Sequence, residues 1–525
     1  MRNFFGTVIP AILAVGSLAG AVSQPVKVDG GLVSGVPDRD PSIITFKGIP
    51  FAAPPVGDLR WRSPKQVVPW QGVRRADKFS ASCIQNIVAE RKPWTYEFMT
   101  HGDISEDCLY LNVWTDAKSA AERRPVYVYL YGGGFSEGSG AVPVYDGGGL
   151  AKKGLVVVTI NYRVGVLGFL ALRELSGESD HRASGNYGLL DQIAALQWVH
   201  DNIVRFGGDP NRVTIAGQSA GGMSVHDLTA SPLAKGLFQR AVVESGGSNI
   251  DRVGLALTAR GLGDAEADGQ KFADSKGAKS LQQLRGMSWQ KLTEVAPGGP
   301  FASGLRFAPI VDGYSLPAPV REIFAQGKQN DVVTLTGANK DELGGFGPPQ
   351  GPVTAESFRK QAQQRYGAEA NVFLELYPAA TDEQAKVAQN QSARDQALVS
   401  MYLWAKERSK TAKTKVYEYL WDHALPGPDA ERFGAFHTSE VPYVMNTLYR
   451  SDRPFTDADR RIAGMMSSYW ANFAATGDPN GKDLPRWQAV GDETEIMEVG
   501  DKTTPIAVAG TPAKFKFFEK YLLEK

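Results

Sequence analysis

Two kinds of apolar pattern alternate along the chain. Val126–Tyr131 (VYVYLY) and Leu155–Ile160 (LVVVTI) are continuous, β-branched and aromatic runs, the signature of strands buried on both faces. Ser42–Phe46, Arg212–Ala216, Ala241–Glu244, Asp331–Thr336 and Lys415–Trp421 predict further short strands. Between them, Gly188–Phe206 repeats its apolar residues at helical spacing, and Ala220–Thr229 is helix-competent. Strands alternating with amphipathic helices predict an α/β fold around a large, mostly parallel twisted sheet with helices on both faces. The intervals at about 250–330 and 345–412 are long and helix-biased. They are expected as excursions over the sheet's carboxyl edge, where open α/β sheets bind ligands. Length alone allows two to four domains. No repeat, low-complexity run or Pro/Ser linker divides the chain, so one catalytic domain over residues 24–525 is expected.

Residues 1–23 break the alternation. Arg2 is a short basic start, Phe4–Gly16 an apolar stretch, and Ala19-Gly20-Ala21 and Ala21-Val22-Ser23 are small-residue cleavage sites. This predicts a secretory signal and a secreted or periplasmic product without stable membrane insertion. The alternative, an uncleaved anchor, fits Pro10 poorly. Export gives meaning to the only two cysteines, Cys83 and Cys108, which are expected to form a disulfide rather than remain free thiols.

Charge and composition narrow the function. The 57 Lys+Arg and 57 Asp+Glu cancel, which argues against nucleic acid or an anionic membrane as partner. A 42% hydrophobic, 22% charged chain is globular. Two Cys and six His leave little for a metal site, and no metal-binding H-E-x-x-H or phosphate-cradling loop is present. Neither a metal nor an organic cofactor is expected.

Gly217-Gln218-Ser219-Ala220-Gly221 fits G-x-S-x-G, and so does Gly134-Phe135-Ser136-Glu137-Gly138. With glycine this frequent the bare pattern is expected about 0.4 times by chance, so context decides. A nucleophilic serine needs a strand, a sharp turn and a helix whose amides face the developing oxyanion. Ser219 has RVTIA before it and a helix-competent run after it, whereas Ser136 runs into EGSGAVPVYDGGG. Ser219 is therefore the candidate nucleophile. The loop Tyr131–Phe135 offers the amides of Gly133 and Gly134, which with that of Ala220 can form an oxyanion hole.

The other partners stay open at this level. In this strand order the acid and then the histidine follow the serine. Only His423 and His437 lie late enough, and His423 has the better position, directly after a strand. Asp341 and Glu342 are equally placed as the acid.

The sequence Phe206–Gly221 (FGGDPNRVTIAGQSAG) reproduces the serine signature of type-B carboxylesterases, and Glu106–Val113 (EDCLYLNV) their second signature, although Asp116 departs from it. Stretches from Phe46, Asn161, Gly185 and Trp470 also match, so the resemblance spans roughly residues 28–490. It implies the α/β-hydrolase fold and hydrolysis of a small-molecule ester. The family acid, in G-x-N-x-D-E-G, falls on Glu342, with Leu343 in place of the final glycine. The family histidine, in G-A-x-H-x-x-E, falls on His437. The resemblance further implies an oxyanion hole from Gly133, Gly134 and Ala220, and the Cys83–Cys108 bridge. Tyr131 precedes the triple glycine as in cholinesterases. Trp94 lies in the disulfide loop at a spacing unlike that of the choline-binding tryptophan, so an aromatic lining role is expected instead.

The expected reaction is ester hydrolysis through an acyl-enzyme, with His437 as base and Glu342 as its orienting carboxylate. A lipase or an acyltransferase of the same fold is the alternative within enzymes, and a non-catalytic cholinesterase-like binding protein the alternative outside them. Which ester is cleaved, and the oligomeric state, are not encoded in any motif.

Overall fold

The computed structural model describes residues 22–247, 260–294, 304–345 and 353–523. The expected signal segment lies almost wholly outside them, as do parts of both expected excursions. The main sheet has eleven strands, numbered here in chain order. They are β1 (Val36–Pro37), β2 (Ile44–Pro50), β3 (Tyr110–Thr115), β4 (Arg124–Leu130), β5 (Val156–Ile160) and β6 (Gly208–Gln218). The series continues with β7 (Arg240–Glu244), β8 (Val333–Asn339), β9 (Val416–Trp421), β10 (Glu495–Val499) and β11 (Thr504–Ala507). Their spatial order is β11-β10-β9-β8-β7-β6-β4-β5-β3-β2-β1. Strands β5 through β10 in that order, with β4 between β5 and β6, pair in parallel. The pairings toward both edges are antiparallel.

Seven of the eleven strands were legible in the sequence, and four were not: the two-residue β1, and β3, β10 and β11. Strand β3 carries Asn112, whose buried amide accepts from the Gly48 amide and donates to Thr159 Oγ1. That bond serves a register irregularity in β2 between Phe46 and Ile49, and the polar side chain interrupts the run. Strand β11 is the sheet edge and has no buried residue, and β10 beside it buries Ile496, Met497 and Val499 interspersed with the charged Glu495 and Glu498, so neither reads as a continuous apolar run.

Side-chain alternation sends successive residues of each strand to opposite faces. On one face Tyr419 packs edge-on against Trp470 of the helix Asp457–Thr476. On the other, Thr336 reaches Met401 of the helix Asp382–Ser409, and Trp404 of that helix meets His226 of the helix Ala220–Ala230. The helix Asp382–Ser409 thus packs on the sheet face, where an excursion over the carboxyl edge had been expected. The helix Leu262–Ser275 instead buries Phe272 and Ala273 with Trp61, Leu170 and Tyr187, beyond the sheet.

Candidate active site

Strands β4, β6, β8 and β9 all end at the carboxyl edge, and the predicted site residues follow those ends. Strand β6 runs to Gln218, Ser219 sits at φ 58°, ψ −125°, and a helix starts at Ala220. So abrupt a reversal leaves no room for side chains beside it. A Cβ on Gly221 would stand 2.0 Å from the Leu130 carbonyl oxygen, and one on Gly217 would stand 2.5 Å from the Gly221 backbone. The flanking glycines of the motif are therefore steric requirements. The Ser219 amide donates to the Glu244 carbonyl at 2.9 Å, which ties the turn to β7.

The glycine loop after β4 lies against this turn. A Cβ on Gly132 would be 3.0 Å from Ser219 Cβ. Gly133 has φ +105°, open only to glycine in practice, and its carbonyl accepts from the amides of Ser136 and Glu137. The loop is anchored from behind by a reciprocal pair: Tyr131 Oη donates to the Tyr162 carbonyl and Tyr162 Oη to that of Tyr131, with the rings stacked. Ser136 donates its hydroxyl to the Gly133 carbonyl, a loop-closing role. Its G-x-S-x-G is a turn.

The structure joins His437 to Glu342. His437 Nδ1 lies 2.5 Å from Glu342 Oε2. The remaining oxygen, Oε1, accepts from the Asn339 amide at 2.8 Å and from Ser245 Oγ at 2.5 Å. His437 is buried, with Nε2 placed 3.1 Å from the Gln218 side-chain nitrogen, beside the nucleophile turn. Burial opposes charge on both partners. Even so, His437 and three hydrogen bonds hold the Glu342 carboxyl below its ordinary value, and Glu342 with the nearby Glu440 lifts the imidazole above its own.

The rejected candidates have other work. His423 is clamped between Asp501 and Asp459 at 2.5 and 2.9 Å, near the start of the helix Asp457–Thr476. Asp341 Oδ2 accepts from the Ala435 amide at 3.0 Å, and the Asp341 amide donates to the Ala435 carbonyl. Asp341 therefore shapes the loop that delivers His437. Ser245 and Gln218 were not singled out in the sequence. Gln218 fills the unspecified position of G-x-S-x-G and Ser245 directly follows β7, and only the edge geometry gives them their contacts with His437 and Glu342.

Around the serine, Phe135, Phe169, Ala220 and Ala308 form a buried apolar cluster, with Met223 and Phe307 packed on it. The Cys83–Cys108 disulfide is formed. The loop it closes carries Trp94, whose indole Nε1 donates to the His437 carbonyl at 3.1 Å and to Thr438 Oγ1 at 2.7 Å. The expected lining residue is thus also a hydrogen-bond donor to the histidine loop.

A doubly wound sheet with a strand–serine–helix turn and a histidine and a carboxylate at its carboxyl edge defines an α/β-hydrolase. The profile of the Carboxylesterase family matches residues 22–518, and the chain belongs to that family. It is 38% identical over 486 residues to a fumonisin B1 esterase of Sphingopyxis macrogoltabida, covering 90% of this chain and 85% of the relative. It is 33% identical to a pyrethroid hydrolase of Rattus norvegicus (93% and 88% covered) and 32% identical to the cocaine esterase of Homo sapiens (95% and 90%). The protein is a carboxylic ester hydrolase acting on small-molecule esters. Among the described residues no helix is long and apolar enough to cross a membrane.

Proposed function

We propose that the ester is cleaved through an acyl-enzyme on Ser219, with His437 as general base and acid and Glu342 as the carboxylate that fixes it. The observation that carries this reading is the His437 Nδ1–Glu342 Oε2 contact, made by a histidine whose Nε2 faces the nucleophile turn. With Nδ1–H committed to Glu342, Nε2 is the nitrogen left to take the Ser219 proton. Oγ attacks the carbonyl carbon, and the amides of Gly133, Gly134 and Ala220 hold the oxyanion. His437 returns the proton to the leaving alcohol, and water repeats the sequence on the acyl-enzyme. The apolar cluster at Phe135, Phe169 and Phe307 supports an ester whose acyl part is itself apolar. The relatives are named for three different compounds, so those names alone select no substrate.

The same reading makes residues 24–525 one catalytic domain and the product secreted or periplasmic, with the disulfide as support. The test is hydrolysis of a p-nitrophenyl acyl ester by Ser219→Ala, His437→Ala and His423→Ala. The first two are expected to be nearly dead and the third active. Activity retained in Ser219→Ala overturns the reading. A rate jump above the substrate's critical micelle concentration, or preference for an added alcohol over water, would move the function to a lipase or an acyltransferase.

A further inference from the structure

Two loops at the carboxyl edge must keep a fixed separation: the glycine loop that offers the oxyanion amides and the loop that carries His437. They come from distant parts of the chain, after β4 and after β9. A third segment, inside the disulfide loop, touches both. Trp94 Nε1 donates to the His437 carbonyl and to Thr438 Oγ1. Thr438 itself stands at φ 83°, a strained value for a β-branched residue that the surroundings must hold in place. Three residues earlier, Arg91 is locked to Trp94 by two backbone hydrogen bonds, Arg91 N–H to the Trp94 carbonyl at 2.9 Å and the reverse at 2.8 Å. The Arg91 guanidinium then makes a two-pronged contact with Glu137, at 2.8 and 3.1 Å. Finally, the Glu137 amide donates to the Gly133 carbonyl at 3.2 Å, and Glu137 Cγ lies 2.9 Å from where a Cβ of Gly133 would be.

We propose that Arg91, Trp94 and Glu137 form a strap that sets the distance between the His437 loop and the oxyanion glycines, and that they are positioning residues for ester hydrolysis. The inference rests on the Ser219–His437–Glu342 reading above. Its physical basis is that misplacing a reacting group by about 1 Å can cost up to 10²-fold in rate. Every link but one is buried or part-buried and hydrogen-bonded. The Arg91–Glu137 pair is the exposed link, at 49% and 26% side-chain exposure, and its strength therefore depends on salt. The Cys83–Cys108 bridge closes the loop on which the strap is mounted.

The test compares Trp94→Phe, Arg91→Gln, Glu137→Gln and the Arg91→Gln/Glu137→Gln double variant on p-nitrophenyl acetate, with affinity for a phenylboronic acid as transition-state mimic. Trp94→Phe keeps an aromatic ring, though a smaller one, and removes the donor. Its kcat is expected to fall about tenfold with KM within about twofold, the cost of one orienting hydrogen bond. Boronic acid affinity should weaken in step with kcat/KM, which a loss of fold stability alone would not produce. Each charge variant should lose about two- to fivefold in kcat, as for an exposed pair. The double variant should be no worse than either single one, because both cut the same link. Wild-type kcat in Trp94→Phe, or losses that multiply in the double variant, overturns the strap. Should Trp94→Phe fail to fold, the charge variants alone decide between these outcomes. Ser219→Ala run alongside separates the two claims, because activity in that variant removes the underlying reading whatever the strap variants do.

Discussion

His437 Nδ1 meets Glu342 Oε2 at 2.5 Å, while the preceding acid, Asp341, turns away to accept from the Ala435 amide. Adjacent residues on a chain just past a strand end point to different sides, so only one of the two can reach the imidazole. Glu342 faces the histidine, and Asp341 holds the loop on which the histidine sits.

That pairing fixes the acid side of the pH profile. Glu342 raises the His437 pKa above the ordinary 6.5, and a protonated imidazole cannot accept the serine proton. Activity, measured as kcat/KM, should therefore fall as pH drops through a midpoint above 6.5. Glu342→Gln removes the counter-charge, so the midpoint should move down while kcat falls by roughly 10³–10⁴-fold. A midpoint unmoved by the substitution would show that another group titrates.

The turn at Ser219 should be intolerant of a single methyl group. In Gly221→Ala the new Cβ meets the Leu130 carbonyl at 2.0 Å, backbone against backbone. Overpacking of this kind costs about 1–3 kcal/mol or more. A lower midpoint in urea and little esterase activity are expected. Gly236→Ala, where a Cβ would meet nothing within 4 Å but φ is +84°, should cost stability yet spare activity.

Beneath the site, Glu244 is fully buried and accepts from Trp470 Nε1 at 2.7 Å, and burial pushes its carboxyl up to about 8. A raised acid pKa means the folded state keeps a proton that the unfolded chain releases. Between the ordinary 4.5 and about 8, stability therefore falls as pH rises. Glu244→Gln keeps the acceptor and removes the titration. Thermal unfolding should show the variant gaining on the wild type from pH 5 to pH 8; parallel curves would contradict this.

The disulfide contributes to stability through the unfolded chain. Closing a loop of sequence separation 25 is worth about 3.5 kcal/mol on the chain-entropy model. Cys83→Ser/Cys108→Ser should lower the urea midpoint accordingly. It should also lower kcat, because Arg91 and Trp94 ride on that loop.

Much of this was readable in the sequence where burial or sterics left few options. Continuous apolar runs gave β4 and β5, and the clash distances around Gly217 and Gly221 explain why a motif marks the nucleophile. Legibility failed where polar side chains are buried with partners far away in sequence. Asn112 hid β3, and Ser245 acquires its role only through Glu342, 97 residues on. The histidine is the clearest case. Position after a strand favoured His423, but two acids hold that ring, and it was the family resemblance of GAFHTSE, not its local pattern, that pointed to His437. Trp94 was placed in the right loop, yet its indole N–H faces a backbone carbonyl 343 residues away.

The central claim is that Ser219 becomes covalently acylated in a site completed by His437 and Glu342. The most direct measurement is intact-mass and peptide mass spectrometry after treatment with a diethyl phosphoryl ester that mimics the first tetrahedral species. One adduct per chain, located on Ser219 and proportional to lost esterase activity, is predicted. An adduct on Ser136 or elsewhere, or full inactivation with Ser219 unmodified, would contradict the account.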